Sequence, residues 1–277
     1  MNPNRTMSLS VLSGKGGVGK TSLALNLGYA LSKAGLRVLL MDCDLGLANL
    51  DVMLGLSPER TLQDLLGPGT RPADVVLPVE PPALDLLPAA SGVPELLDLD
   101  EDARAILVEK LLALISGYDL LVLDLGAGIN ETVLSFAAAA QARLVVVTPE
   151  PTALTDAYAT IKVLFTTRGV RDFWIVVNQA AGKKEAQATF QRLASACRNF
   201  LKLEVRDMGF VRQDHKAAEA VRNQVPLMRL APSSDVGKDI LALAAKIHRH
   251  RLASLEGLAG LPILASLHRP AASPQRA

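Results

Sequence analysis

The chain of 277 residues has little cysteine, little net charge and no long apolar run. Its two cysteines, Cys43 and Cys197, lack the Cys-x-x-Cys spacing of zinc and redox sites, so we expect two free thiols in a reducing compartment. The formal net charge of +1 excludes a broad basic field for nucleic acid but not a local basic patch. No apolar run reaches the roughly 18 residues that predict a membrane span, and the N-terminus does not follow a signal-peptide pattern. We therefore expect a cytoplasmic protein.

The sequence is rich instead in short apolar runs that alternate with helical patterns. The runs are continuous, which is typical of strands buried on both faces of a parallel sheet. The predicted strands are SLSVLS, RVLLMD, LDLLPA, DLLVLD, RLVVVT, FWIVVN and RDMGFV. The predicted helices are Thr21–Ala34, Glu101–Ile115, Glu131–Ala140, Ala153–Thr167, Lys184–Phe200 and Ser233–His250. This order predicts one α/β domain over 1–250, with a doubly wound, mostly parallel sheet flanked by helices, followed by a C-terminal tail over 251–277.

A glycine-rich stretch, GKGGVGKT, joins the first predicted strand to the first predicted helix. It matches G-x-x-x-x-G-K-[ST] in the strand-to-helix context that this motif requires. The glycines allow backbone N–H groups to surround a phosphate, and the helix N-terminus adds partial positive charge. The motif predicts a site for ATP and Mg²⁺, in which Lys20 neutralises phosphate oxygens and Thr21 ligates the metal. The residues assigned to nucleotide binding here are Gly14, Lys15, Gly16, Gly17, Val18, Gly19, Lys20, Thr21 and Ser22.

Lys15 is a second lysine in a loop that ordinarily needs one. The pattern K-G-G-x-G-K-[ST] resembles the deviant Walker A motif of the MinD/ParA superfamily of P-loop ATPases. In that family the extra lysine reaches across a dimer interface to the partner's nucleotide, so the resemblance implies an ATP-dependent homodimer and catalytic roles for Lys15 and Lys20. A cation supplied in trans offsets the electrostatic cost of bringing two trinucleotides together. The alternative is a solvated lysine on the rim of the loop.

Acidic residues follow two of the predicted strands. Asp42 and Asp44 lie at the carboxyl end of the second strand, where ligands bind in open α/β sheets. The resemblance implies that Asp44 lies in a first switch segment, where it orients or activates the attacking water, and that Asp42 lies near Mg²⁺ and its water shell. A pair of solvated loop aspartates is the alternative. Asp124 ends another apolar run and would hold Mg²⁺ directly or through water. Gly126 and Gly128 then allow a mobile switch segment.

Four further site residues rest on the same resemblance. Asn178 ends a predicted strand, where the family's asparagine hydrogen-bonds the adenine edge, although a simple strand-end turn is the alternative. Arg212 replaces the family's usual proline on the base side and could stack on the adenine. Glu150 and Asp156 fall in a segment that supplies acids to the dimer face. Capping of the following helix by threonines of that segment would account for it equally well.

One stretch narrows the resemblance within the superfamily. DCDLGLANLDVMLGL is similar to the D-x-D-L-G-L-A-N-x-D-x-x-L-G-L of the FlhG/FleN group, which regulates flagellar number and placement. RTLQDLL, LLPAASG and EPTALTDAYATIK also resemble that group. The resemblance implies a slow regulatory ATPase with a flagellar role. Its candidate partners are FlhF, a flagellar transcription activator, a C-ring component, or none of these.

The C-terminal stretch RLASLEGLAGLPILASLHR is leucine-rich and flanked by basic residues. From Lys246 onward there are five Lys or Arg residues and one acid, Glu256. The resemblance and this composition predict a conditional membrane anchor, which would place the protein peripherally at the inner face of the cell membrane. Gly257, Gly260 and Pro262 interrupt the pattern, and packing on the domain or docking of a partner are the alternatives.

Other classes share this superfamily. A partitioning or division-site positioning ATPase is the main alternative; a DNA-binding partitioning ATPase predicts a basic surface on the dimer, and the small net charge argues against nucleic acid as a partner. Nitrogenase-type reductases need cluster-binding cysteines, which Cys43 and Cys197 do not match in position. Cobyrinate amidases need an added glutaminase domain. The related tyrosine kinases carry a C-terminal tyrosine cluster, whereas the tyrosines here are Tyr29, Tyr118 and Tyr158.

Overall fold

A computed structural model describes residues 6–44, 49–67, 69–89 and 100–258, and every structural statement below concerns these residues. Their strands form one eight-stranded sheet in the order β3-β4-β2-β5-β1-β6-β7-β8. All neighbouring strands are parallel except the pair β3 and β4. The strands are β1 (Met7–Ser13), β2 (Val38–Cys43), β3 (Leu77–Glu80), β4 (Leu84–Leu87), β5 (Leu120–Ala127), β6 (Ala142–Val147), β7 (Trp174–Ala180) and β8 (Arg206–Arg212).

Helices flank this sheet and account for most of the connections. The α-helices of the described residues are α1 (Lys20–Lys33), α2 (Leu50–Leu54), α3 (Glu101–Ile115), α4 (Glu131–Ala139), α5 (Pro151–Arg168), α6 (Lys183–Ala196), α7 (His215–Arg222), α8 (Leu227–Leu230) and α9 (Asp235–Leu258). Two 3₁₀ turns, Leu62–Leu66 and Pro72–Val75, precede β3, and a π-helical turn, Cys197–Leu201, follows α6. The predicted fold class, a mostly parallel sheet flanked by helices, is confirmed.

The central strands are buried along their length, as their continuous apolar runs predict. Every residue of β1, β2 and β6 is buried, and so is every residue of β5 before Ala127. Parallel strands place their carboxyl ends at one edge of the sheet. The loops after β1, β2 and β5 therefore meet there, because β5 lies between the other two. The register places Asp42 directly opposite Asp124.

Some elements were not predicted, and the predicted ends of α6 and α9 were wrong. Strand β3 is a short edge strand of half-exposed residues that contains Pro78, so it offers no apolar run. Helix α6 ends at Ala196, four residues before the predicted end, and a π-helical turn follows it. The short helices α2, α7 and α8 were also missed.

The last helix continues past its predicted end at His250 and runs to Leu258. Arg251 explains the extension, because its side chain is buried against the start of β5. Its Nε donates to the Asp119 carbonyl at 2.9 Å and its Nη2 contacts Asp119 Oδ1 at 3.0 Å. The boundary expected at residue 250 thus lies inside a helix. The division into 1–250 and 251–277 stays a prediction, since 259–277 lie outside the described residues.

Both cysteines are free, as expected, and the structure also buries both of them. Among the residues that the structure describes, we find no helix with the length and hydropathy needed to cross a bilayer.

Candidate nucleotide-binding site

The loop between β1 and α1 is shaped by two close approaches that only glycine allows. A Cβ at Gly14 would lie 2.2 Å from the carbonyl carbon and oxygen of Asp156, so the loop packs directly on the backbone of α5. Gly19, the residue before α1, has φ +81°, and a Cβ there would lie 2.6 Å from Asn178 Nδ2. These contacts position the loop against α5 and the end of β7, with its backbone leading into the N-terminus of α1.

Lys20 points to the carboxyl end of β5. Its Nζ lies 2.8 Å from Asp124 Oδ1 and 3.3 Å from Thr21 Oγ1, and both charged side chains are almost fully buried. Burial raises the pKa of Asp124, while the attraction of Lys20 and a hydrogen bond from Thr21 oppose that rise. The structure therefore brings together Lys20, Thr21 and Asp124 as predicted from their positions in the sequence.

Asp42 lies beside this group, and its carboxylate also binds backbone N–H groups of the following loop. Its carboxylate accepts hydrogen bonds from the N–H groups of Asp44, Asn49 and Leu50, at 3.0 to 3.1 Å. Burial, followed by repulsion from Asp124, raises the pKa of Asp42 to about 6, although the three donors oppose the rise. Asp42 thus fixes both ends of the predicted first switch, whose residues 45–48 lie outside the described residues.

Asp44 is half-buried at the start of the same switch. Its carboxyl group lies beside Gly126, since a Cβ on that glycine would be 3.4 Å from Asp44 Cγ and Oδ1. Its charge also contributes to the raised pKa of Asp124. Both switch segments therefore meet at the carboxylates after β2 and β5. The catalytic role expected of Asp44 stays a prediction.

Lys15 occupies a different environment from Lys20. Its Nζ lies 2.5 Å from Glu150 Oε2 and 3.0 Å from Thr152 Oγ1, and its side chain remains 38% exposed. Thr152 and Thr155, the predicted caps of α5, do not cap it: the Thr155 hydroxyl donates to the Pro151 carbonyl, and no side chain makes a capping bond at this N-terminus. The N-terminal end of α5 thus holds Lys15 at the rim of the loop, and Asp156, further along the same helix, packs on Gly14.

A cavity of about 340 Å³ lies on the other side of the loop, at the ends of β7 and β8. This volume falls within the range of roughly 300–1,000 Å³ that is common for ligand pockets. The residues that line it include Gly19, Ser22, Leu23, Asn178, Arg212, Gln213, Ala217, Val221, Leu227 and Ile240. It is mostly apolar with a few polar groups at one side, as an adenine base requires.

Asn178 and Arg212 both border this cavity, but each has a protein partner. Asn178 is buried and donates from Nδ2 to the Val18 carbonyl at 2.7 Å, so it positions the loop. Arg212 is held by Asp239, through its Nε at 2.8 Å and Nη2 at 2.9 Å, with Asp235 at 3.2 Å. The contacts of these two residues with an adenine stay predictions. Sequence reasoning missed Asp239 and helix α7, which forms one wall of the cavity. The signal for α7 was Asp214, which precedes HKAAEAVR and caps the N-terminus of that helix.

The groups at the loop fit a magnesium-bound nucleotide. Mg²⁺ prefers oxygen ligands, which the Thr21 hydroxyl and the Asp124 carboxylate offer at one point. The Lys20 ammonium lies between them, and the N-terminus of α1 adds backbone donors for phosphate. The fold and this site together define a P-loop nucleotide-binding protein.

Comparison with known proteins defines the family. Residues 9–227 match the family described as the CobQ/CobB/MinD/ParA nucleotide binding domain. The chain is 38% identical to the antiactivator FleN of Pseudomonas aeruginosa, over 86% of this chain and 85% of that protein. It is 33% identical to the flagellum site-determining protein YlxH of Helicobacter pylori, over 88% of this chain and 82% of that protein.

Solved structures agree with this assignment. The cell division ATPase MinD of Pyrococcus furiosus matches with a TM-score of 0.72 and 26% identity, over 88% of this chain and 99% of that one. MinD of Pyrococcus horikoshii, complexed with Mg-ADP, shares the fold at a TM-score of 0.72 and 24% identity, over 91% of this chain and 98% of that one. The chain belongs to the CobQ/CobB/MinD/ParA family of nucleotide-binding domains and is a P-loop ATPase.

Proposed function

We propose that this protein is a switch ATPase that dimerises when it binds ATP and that regulates flagellar number or placement. The observation that carries the dimerisation is the contrast between the two loop lysines. Lys20 is buried on Asp124, whereas Lys15 is half-exposed at the rim with Glu150 and Thr152. A lysine at the rim is free to reach a second molecule without disturbing the groups that bind nucleotide in its own chain.

Within one chain, the residues of the site have separable tasks. Lys20 and the loop N–H groups would bind the phosphates, and the apolar cavity would take the base. Mg²⁺, held by Thr21 and Asp124, would neutralise phosphate charge. Asp44 would orient water or accept its proton, because its carboxylate lies at the junction of both switches and is only half-buried. Asp42 would fix the ends of the first switch through its three backbone bonds.

In the dimer, Lys15 would act on the partner's nucleotide. Its present partner, Glu150, is 61% exposed at the side chain, so the ion pair is weak and easily exchanged. A second trinucleotide brings more negative charge than one carboxylate and would draw the ammonium across the interface. Glu150 and Asp156 would then lie at the dimer face. Hydrolysis would be slow compared with the roughly 1–100 s⁻¹ of kinases, since the switch must persist to act.

The flagellar role rests on the relatives. The proteins named antiactivator FleN and flagellum site-determining protein YlxH match most of their own length and of this chain. We infer a flagellar transcription activator as a partner, because a relative is an antiactivator. FlhF is a second candidate. We also infer peripheral membrane contact through the tail, supported by its leucines and basic residues.

The two lysines are distinguished by separate assays. With a non-hydrolysable ATP analogue, or in an Asp44→Ala background that stops turnover, wild type should be dimeric by light scattering and mainly monomeric with ADP. Lys15→Ala should remain monomeric while binding nucleotide normally, because Lys20 and the loop amides are unchanged. Lys20→Ala should lose nucleotide affinity itself. Lys184→Ala, an exposed lysine on α6, is the matched control and should behave as wild type. Dimerisation of Lys15→Ala as readily as wild type would remove the proposed mechanism.

The cellular role needs its own experiment. In the native host, deletion of the gene should change the number or position of flagella counted by electron microscopy. Wild type should restore the count and Lys15→Ala should not, since that variant would bind nucleotide without switching. An unchanged flagellar count together with faulty plasmid, chromosome or septum positioning would favour the partitioning or division-site alternative.

A further inference from the structure

A second cavity, of about 350 Å³, lies at the opposite end of the sheet from the phosphate loop. Trp174 and Arg206, which line it, are the first residues of β7 and β8. The loop follows the carboxyl end of β1, which runs parallel to these strands, so the two sites lie at opposite edges. The lining also includes Asp207 and Met208 of β8 and Lys246, Arg249 and His250 of α9. This basic pocket is therefore separate from the nucleotide site.

Two cations of the pocket, Lys246 and Arg249, have no carboxylate partner among the described residues. Arg206 pairs with Asp172 at 2.9 Å. Within the described part of the chain, Arg249 Nε makes only a 3.4 Å contact with the Ala245 carbonyl on its own helix. Two neighbouring cations that repel each other are stabilised by an anion between them. The arrangement thus favours binding of an anion with more than one negative oxygen.

His250 and Asp207 also line the basic pocket and influence its charge. Burial and the neighbouring Arg206 lower the pKa of His250, which favours the neutral form of its imidazole. It lies edge-on to Trp174, with ring centres 4.4 Å apart. Asp207 is the acid of the lining, and its Oδ1 accepts the Gly209 N–H at 2.7 Å. Positive charge therefore comes from long side chains, and Asp207 opposes an anionic ligand.

We propose that the basic pocket binds a phosphate group, carried by a soluble phosphorylated small molecule or by the headgroup of an anionic lipid. The Arg249 guanidinium matches the spacing of two phosphate oxygens, and Lys246 supplies a point charge beside it. The pocket would give the ATPase a second anion-dependent input, remote from the residues that bind ATP.

Trp174 is the single tryptophan of the chain and lines the basic pocket, so its fluorescence reports on binding there. The full-length protein, with its nucleotide site saturated by a non-hydrolysable ATP analogue, is dialysed against radiolabelled inorganic phosphate at constant ionic strength, and Trp174 fluorescence is followed in parallel. We expect saturable binding. The double variant Lys246→Gln, Arg249→Gln should weaken it by roughly tenfold or more, since it removes two charge-assisted hydrogen bonds. Asp207→Asn should strengthen it, because the amide oxygen still accepts from Gly209 while the negative charge is gone.

Controls and a lipid arm separate the outcomes. Lys238→Gln, an exposed lysine on the same helix that faces Asp235, should leave phosphate binding unchanged. Sedimentation with phosphatidylglycerol vesicles, against phosphatidylcholine vesicles, identifies a lipid source if it depends on Lys246 and Arg249. A soluble phosphorylated ligand is supported if free phosphate binds and the double variant sediments with vesicles as wild type does. The proposal is overturned if the double variant binds free phosphate and phosphatidylglycerol vesicles as well as wild type does. It is also overturned by binding of duplex DNA alone, which would make the pocket part of a polyanion surface.

Discussion

Three charged groups meet at the carboxyl-terminal half of β5, and the interactions between them oppose one another. Lys20 and Asp124 form a buried pair, and Asp42 lies opposite Asp124 in the register of β2 and β5. Repulsion between the two aspartates is part of why the pKa of Asp42 is raised. Two buried carboxylates beside a single lysine cost folding free energy, and such groups of charges are typical of functional sites. This supports the assignment of the edge of the sheet, rather than either carboxylate alone, as the site.

Gly14 and Gly16 offer a matched pair of substitutions in the loop. Gly14→Ala places a methyl group 2.2 Å from the Asp156 backbone, which cannot move without displacing α5. We expect the free energy of unfolding to fall by about 1–3 kcal/mol and nucleotide binding to weaken. Gly16→Ala meets nothing within 4 Å and should change stability by no more than about 0.5 kcal/mol. Urea unfolding without nucleotide measures both, and equal stabilities would contradict the packing argument.

The sequence identified the residues that a local pattern specifies. Lys20, Thr21 and the aspartates after the strands follow from a motif and from strand ends, and the structure brings them together. The partners of Lys15 and Arg212 were harder to find. Glu150 lies 135 residues from Lys15 and contacts it only because α5 packs on Gly14. Asp239 was unpredictable for the same reason, since its position depends on how α9 lies along β8.

Helix α1 links the phosphate loop to the wall of the base cavity. Asn26 is buried in this helix, and its Oδ1 accepts the Met228 N–H at 2.9 Å while its Nδ2 donates to the Ser22 carbonyl at 2.7 Å. Met228 belongs to α8, whose Leu227 lines the cavity. One polar side chain therefore ties the base side of the site to the helix that follows the phosphate side.

Asn26→Ala tests this link. Alanine improves helix propensity by roughly 0.6 kcal/mol, but the buried Met228 N–H loses its acceptor, which costs about 1–3 kcal/mol. The loss should dominate, giving lower stability by thermal unfolding and faster hydrogen exchange at α8. Asn223→Ala is the control, because Asn223 is exposed at the end of α7. Unchanged exchange at Met228 in Asn26→Ala would show that α8 is held by packing instead.

Long apolar strands and long helices were predictable, and short elements were not. The strands β1, β2, β5 and β6 are buried on both faces, so their composition carries the signal. Strand β3 pairs only with β4 at the edge of the sheet, and a neighbour rather than its own sequence specifies it. The helix α9 was predicted too short, because nothing local indicates that Arg251 is buried on Asp119, 132 residues away.

The parallel sheet places the two candidate sites of the molecule at opposite edges. The candidate nucleotide-binding residues lie at the carboxyl edge, and the basic pocket lies at the amino ends of β7 and β8. Helix α9 connects them, since Asp239 near its start holds Arg212 and Lys246 and Arg249 further along line the basic pocket. Its last turns lead into the tail, so α9 is the element through which the tail would communicate with the site.

Truncation tests where the folded domain ends and whether the tail binds membrane. A chain of residues 1–258 keeps Arg251 and its bonds to Asp119, and should unfold within about 0.5 kcal/mol of the full chain. A chain of residues 1–250 loses those charge-assisted bonds and should be less stable by roughly 1.5–3 kcal/mol. Equal stability of the two truncations would place the domain boundary at 250 after all.

The 1–258 chain also tests the membrane anchor. With ATP present, the full chain should sediment with phosphatidylglycerol liposomes more than the 1–258 chain, because residues 259–277 contain three leucines and two arginines. Equal sedimentation of the two chains would exclude residues 259–277 as the anchor.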